Sequence, residues 1–318
     1  MSQQTPSAAV TGKKWSKQLN SIASRWQLYL FLLLPLIYIL LFAYVPMTGL
    51  QLAFKKFSAP LGIWGSPWVG FDQFAKFFKS YMFNRVLTNT VRVSLYSLIA
   101  GFPIPILFAL MLNSMRSYKY KKTIQLITYV PHFISMVVMV GMLLQMINPR
   151  IGIFGVIYTA VTGQEAPLLI GKPEAFSHLY VWSGIWQNLG WSSIIYIAAL
   201  SGVDSELHEA AQIDGASRFQ RVRFIDFPSI LPTATIMLIL NAGQIMNVGF
   251  EKVFLMQNNL NLRASEVIST YVYKVGLATS TQDFSYATAI GLFNSIINFV
   301  LIVFVNWASK RLSGNRLW

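Results

Sequence analysis

The chain has 318 residues, 54% of them hydrophobic and 11% charged, with a mean hydropathy of +0.51 and no cysteine. Soluble domains carry roughly a quarter charged residues, so this balance excludes an ordinary soluble fold and describes a membrane protein. The net charge of +14 calls for no nucleic-acid partner once positive-inside topology and anionic lipid are counted, and the missing cysteines remove disulfides, thiolate chemistry and cysteine metal sites.

The chain opens on a tail, 1–26, rich in Ser, Gln, Thr and Lys and expected to be disordered to about Ser16. The apolar run 28–50 that follows is too long for a signal peptide and lacks a small-x-small cleavage site, so it is expected to remain as a first span. Five more runs approach the ~20 residues that cross a bilayer: 89–113, 123–147, 179–200, 230–250 and 286–309. Each is continuous rather than alternating, which predicts helices and not barrel strands. Pro35, Pro103, Pro105 and Pro131 predict kinks. The expected architecture is all-α and polytopic, with six transmembrane helices in one domain, 27–309, and a short C-terminal tail, 310–318.

Basic residues near the span ends set the orientation. Lys13, Lys14, Lys17 and Arg25 in the first tail have no acidic neighbour, and neither have Arg116, Lys119, Lys121 and Lys122 in the loop 114–122. Lys310, Arg311 and Arg316 close the chain, so both termini are expected in the cytoplasm together with the loop 201–229. The segments 51–88, 148–178 and 251–285 then face outward, with ten of the 25 basic residues spread over a greater length.

Phe71, Phe74, Phe77, Phe78, Met82 and Phe83 recur at helical spacing around Lys76 and Lys79, which predicts an amphipathic helix at the outer interface, a surface anchor more readily than a docking site. Six glycines and prolines between Gly152 and Pro173 predict a folded or re-entrant loop rather than a helix. The segment 251–285 reads as a polar outer loop with a short helix through Thr270 to Tyr273. Either loop is placed to meet an external protein, although exposed loops are polar in any case.

Apart from Arg92 at a span edge and His132 in the third run, the six cores hold no Asp, Glu, Lys, Arg or His. Ion-coupled carriers place such groups at midplane, so a proton-driven carrier is disfavoured. His132 reads as an interfacial or packed histidine rather than a relay. No Gly-x4-Gly-Lys-Ser/Thr loop is present, so energy for active transport has to come from another polypeptide.

The loop 201–229 is where such a polypeptide would act. Asp204 or Ser205 can cap a helix, Ala210 and Ala211 permit close approach, and Gly215 permits a bend that a β-carbon resists. A second helix follows, with Phe219, Val222 and Phe224 set against Arg218, Arg221 and Arg223, until Pro228 and Pro232 mark the next span. Two short helices about a bend make a lever; a merely solvated hairpin is the alternative.

The run from Glu209 to Pro232 resembles the EAA motif of inner-membrane subunits of ATP-binding-cassette importers, with Glu209, Ala210, Ala211, Gly215, Ile230, Leu231 and Pro232 in place. Leu34-Pro35, Val69 to Phe74, Gly249 to Leu255 and Thr270 to Tyr273 are similar to the oligosaccharide and polysaccharide permease branch, so the resemblance covers nearly the whole chain. It implies a type I permease fold in the bacterial cytoplasmic (inner) membrane. It also implies a second homologous permease, two ATPase subunits that carry ATP and Mg, and an extracytoplasmic solute-binding protein, with no cofactor on this chain. Glu209, Ala210, Ala211, Asp214, Gly215, Ala216 and Arg218 would couple to the ATPase during alternating access.

For the cargo path, Trp186, Gln187, Asn188 and Trp191, then Asn241, Gln244 and Asn247, then Asn294 supply aromatic faces and uncharged hydrogen-bonding groups suited to an oligosaccharide. Interhelical hydrogen bonds use the same residues. Lys55, Lys56, Arg150 and Lys252 leave a neutral and an acidic sugar both open. The alternatives are the same kind of permease for glycerol phosphate, an amino acid or a metal complex, and a membrane enzyme or sensor subunit, for which no catalytic cluster or signalling domain is visible.

Overall fold

A computed structural model of the chain describes residues 24–280 and 282–313; the expected disordered tail and the last residues of the C-terminal tail lie outside them. Every regular element among the described residues is helical, and the one β-contact is an isolated antiparallel bridge between Lys55 and Trp68. The chain divides into two compact units after Leu52. The first holds α1, Trp26–Ile39, which has Pro35 inside it and passes into a π-turn at Leu40–Tyr44. Large apolar side chains stand exposed all round α1, as suits a helix whose solvent is lipid.

The second unit begins with α2 (Asp72–Lys79), α3 (Tyr81–Gly101) and α4 (Pro103–Asn113), then α5 (Tyr118–Tyr129), α6 (Met136–Met146), α7 (Ile153–Thr162) and the long α8 (Pro173–Ser201). After it come α9 (Ser205–Ile213), α10 (Arg218–Arg221) and α11 (Phe227–Ala242), the short α12 (Phe250–Met256), α13 (Leu262–Ser265) and α14 (Ile268–Tyr273), and finally α15 (Phe284–Ser313). Among the described residues four helical runs are long and apolar enough to cross a membrane: Trp26–Phe54, Tyr81–Asn113, Arg218–Ala242 and Phe284–Arg311. A fifth counts if α5 and α6, bent by 104°, make one broken span. Helix α8 has the length, about 43 Å at 1.5 Å per residue, but Glu174, His178, Gln187 and Asn188 make it more polar than the others.

Several expectations change. The run 123–147 is kinked at Pro131 as expected, but far enough to make two helices: a 3-10 turn, Val130–Phe133, carries the proline, whose missing N–H breaks the ladder, and Ser135 caps a new start. The segment 148–178 contains a helix, α7, where glycines suggested none. Its glycines serve packing, since a β-carbon on Gly155 would meet the Pro149 carbonyl. The fifth run stops at Ala242, and 243–249 turn back. Helix α2 does not lie free at an interface: Phe74 and Phe77 are buried, and Phe77 packs edge-on against Phe293 of α15. The polar segment 251–285 is also less open than its composition suggests. Asn258 and Asn261 both donate to the Ile170 carbonyl, and Asn89 of α3 donates to the carbonyls of Arg263 and Glu266.

The core comes in layers, two of which share the long helix α8. Ile106, Ala109 and Leu110 of α4, Tyr196 and Leu200 of α8, and Ile230 and Ala234 of α11 form one layer. Val93 of α3, Met139 and Val140 of α6, and Phe176 of α8 form another with Val248, Val253 and Met256. Residues of α3, α8 and the end of α11 that fall between those two layers along the chain line the cavity described next.

Candidate functional site

The exposed bend between α9 and α10 is built entirely by local chemistry. Asp204 caps α9, its carboxylate accepting the Glu206 N–H at 2.9 Å. The helix ends where Gly215 takes φ +80°. There the Ala216 N–H donates to the Ala211 carbonyl at 2.8 Å and the Gly215 N–H to Gln212 at 3.1 Å, the paired bonds of a left-handed helix stop. No atom lies within 4 Å of where a Gly215 β-carbon would stand, so what demands glycine is the backbone angle and not crowding. Two residues later Ser217 opens α10 with a reciprocal cap: its hydroxyl accepts the Gln220 N–H at 3.3 Å, and the side-chain Oε1 of Gln220 accepts the Ser217 N–H at 2.7 Å.

Stop and start abut, which leaves a stiff elbow. Glu209, Ala210, Asp214 and Arg218 stand exposed on it, with Ala211 and Ala216 half-buried. Ile213, at 87% exposure, and Phe219, at 73%, add apolar surface at the tip. Ile213 escapes sequence reasoning because an isoleucine ending a helix normally points inward.

Helix α10 does not end at a loop. A π-turn, Val222–Asp226, joins it to α11, so one helical run of 25 residues extends from Arg218 to Ala242, about 37 Å. The π-turn ends on Asp226, which is buried. Its Oδ1 lies 3.2 Å from His208 Nε2 of α9 and accepts from Asn113 Nδ2 at the end of α4, 3.3 Å away. One carboxylate thus ties the elbow to two apolar runs. Drawn from sequence, Asp226 falls in a solvated loop, and neither partner is near it in the chain.

The cavity has a volume of about 530 Å³. Of the expected cargo-path residues, Gln187, Asn188, Asn241, Gln244 and Asn247 line it, and Trp186 and Asn294 do not. Trp191 lines a neighbouring recess that shares Asn241. Asn294 and Asn298 of α15 both donate to Asn247 Oδ1 at 3.1 Å, so these three hold the turn after α11 against α15. Asn188 is fixed by a bond to the Gly184 carbonyl and by His132, 3.0 Å away, whose ring stacks on Trp191. His132 is packed, as expected. Gln187 donates to the Ile134 carbonyl, but its Oε1 and the Ser94 hydroxyl, both buried in the cavity wall, have no protein partner. Such orphan polar atoms suit a hydroxyl-bearing solute.

Residues 101–314 match the family model of binding-protein-dependent transport system inner membrane components. Protein LplB of Bacillus subtilis is 39% identical over 96% of this chain and 95% of its own length. The polygalacturonan/rhamnogalacturonan transport system permease protein YteP of the same organism is 37% identical over 96% and 94%. Among solved structures, a chain of a bacterial ABC transporter involved in the import of the acidic polysaccharide alginate superposes with a TM-score of 0.85 at 38% identity, covering 93% of this chain and 99% of its own. That transporter has also been solved with an alginate pentasaccharide-bound periplasmic protein.

Proposed function

Because this chain belongs to the family of binding-protein-dependent transport inner membrane components, we propose that it is a transmembrane subunit of an ATP-driven importer that moves an oligosaccharide across the bacterial cytoplasmic membrane. The observation that carries this reading is the single helical run from Arg218 to Ala242. One of its ends is the exposed elbow and the other, at Asn241, lines the cavity. A push on the elbow is delivered to the cavity wall through one continuous element.

In this reading Glu209, Ala210, Ala211, Asp214, Gly215, Ala216 and Arg218 meet a separate ATPase that holds ATP and Mg. Closure of two ATPase copies rocks this chain against a second permease, and an extracytoplasmic binding protein delivers the sugar. Helix α8 and the broken α5–α6 pair complete six spans, which puts both termini and the elbow in the cytoplasm. Gln187, Asn188, Asn241 and Gln244 offer hydrogen bonds to sugar hydroxyls as the cavity changes sides.

Mild-detergent extraction from native membranes, with identification of co-purifying chains and assay of ATP hydrolysis against candidate oligosaccharides, tests the reading. A second permease and an ATPase stimulated by sugar-loaded binding protein are expected. Recovery of this chain alone across several detergents would overturn the proposal.

A further inference from the structure

Four basic residues lie in the segments assigned to the outside as possible partners of an acid, and the structure separates them. Lys55 donates to the carbonyls of Ile63 and Trp64 at 2.9 and 3.1 Å and sits over the Trp68 ring, so it pins its own loop. Arg150 pairs with Glu165 at the surface. Lys56 faces a recess that it shares with Asp72 and Asp283.

Lys252 is different. It is 4% exposed, lines the central cavity, and makes one hydrogen bond, to the Tyr180 carbonyl at 2.7 Å, with its Nζ 4.6 Å from the Tyr180 ring centroid. No carboxylate of the described residues forms an ion pair with it. An ammonium has three donors, and leaving it buried without a counter-charge is costly unless something else completes the site. The wall makes room for it: a β-carbon on Gly184 would stand 3.0 Å from Nζ. The orphan Gln187 Oε1 and Ser94 hydroxyl line the same cavity. Glu251 lines it as well but is exposed, where water screens its charge.

We propose that the cavity accepts an anionic sugar of the uronic acid type, with the Lys252 ammonium as partner of its carboxylate and Gln187 and Ser94 as partners of its hydroxyls. This rests on the sugar-import reading and narrows the cargo within it.

The test uses the host cell with its native partner subunits and compares wild type with Lys252→Met. The probes are labelled galacturonate and mannuronate oligosaccharides, their methyl esters, and neutral oligosaccharides. Since the binding protein is the same in both strains, a changed ratio of acid to ester or neutral uptake belongs to the permease. The expected result is an acid uptake at least about tenfold lower in Lys252→Met, with neutral or ester uptake and the amount of assembled complex retained. Unchanged acid uptake, an equal loss of every cargo, or loss of the assembled complex would reduce Lys252 to a structural role and overturn the proposal. A wild type that imports only neutral sugars overturns it too but leaves sugar import standing, whereas a wild type that imports no sugar removes both.

Discussion

Lys252 shows how a residue gains its role from parts of the chain far away in sequence. In sequence it is one basic residue among several flanking a span; its partners, the Tyr180 carbonyl and the space above Gly184, lie about seventy residues earlier. Burial lowers its pKa from 10.5 to about 7. A sugar carboxylate beside it favours the charged form and raises that value, so binding takes up a proton. Acidic-sugar uptake is therefore expected at full strength below pH about 7 and weaker as pH rises through that value. Lys252→Arg, charged throughout, should flatten the fall. Tyr180 and Glu251 are the other titratable groups lining the cavity, and Glu251→Gln is expected to keep the wild-type profile. Uptake measured from about pH 6 to about pH 9 decides the matter, and a profile that stays the same in Lys252→Arg counts against the assignment.

Elements that depend on local chemistry were legible, and those that depend on packing were not. The cap at Asp204, the stop at Gly215 and the restart at Ser217 follow from residue types a few positions apart, so the bend was visible in the sequence. The helix α7 was not, because Gly152 and Gly155 look like breakers until the close backbone around Pro149 is seen. The break between α5 and α6 was legible in place, from Pro131, but its 104° was not, since proline marks a kink without setting its angle. The elbow gives a sharp prediction. Gly215→Pro cannot adopt φ +80° and loses the N–H that bonds Gln212, so transport should be abolished with the protein still in the membrane. Gly215→Ala faces a penalty of about 1–2 kcal/mol, and Gly215→Asn, which tolerates left-handed backbone, should keep most uptake. Full uptake in the proline variant would remove the lever.

At the scale of the whole molecule, a cavity lies beside packed layers, and Asp226 is where the elbow joins two of the apolar helices. His208 of α9 and Asn113 of α4 meet on its carboxylate. Leaving buried polar groups without partners costs about 1–3 kcal/mol, so Asp226→Ala should lower thermal stability by that order and also lower sugar moved per ATP hydrolysed. In a double-mutant cycle, His208→Ala and Asp226→Ala are expected to be non-additive by at least about 0.5 kcal/mol; strictly additive melts would show that the contact transmits nothing. The π-turn that ends on Asp226 has one more consequence. It is a turn of α-helix holding one residue too many, and each residue advances an α-helix by about 100°. Deleting one residue there would close it to an ordinary turn and leave elbow and span in their present phase, whereas deleting one residue from the regular helix beyond would turn them out of phase by roughly that angle. The run from Arg218 to Ala242 thus has a winding as well as a length, and the surplus residue in its π-turn marks the one place where the chain can lose a residue without changing that winding.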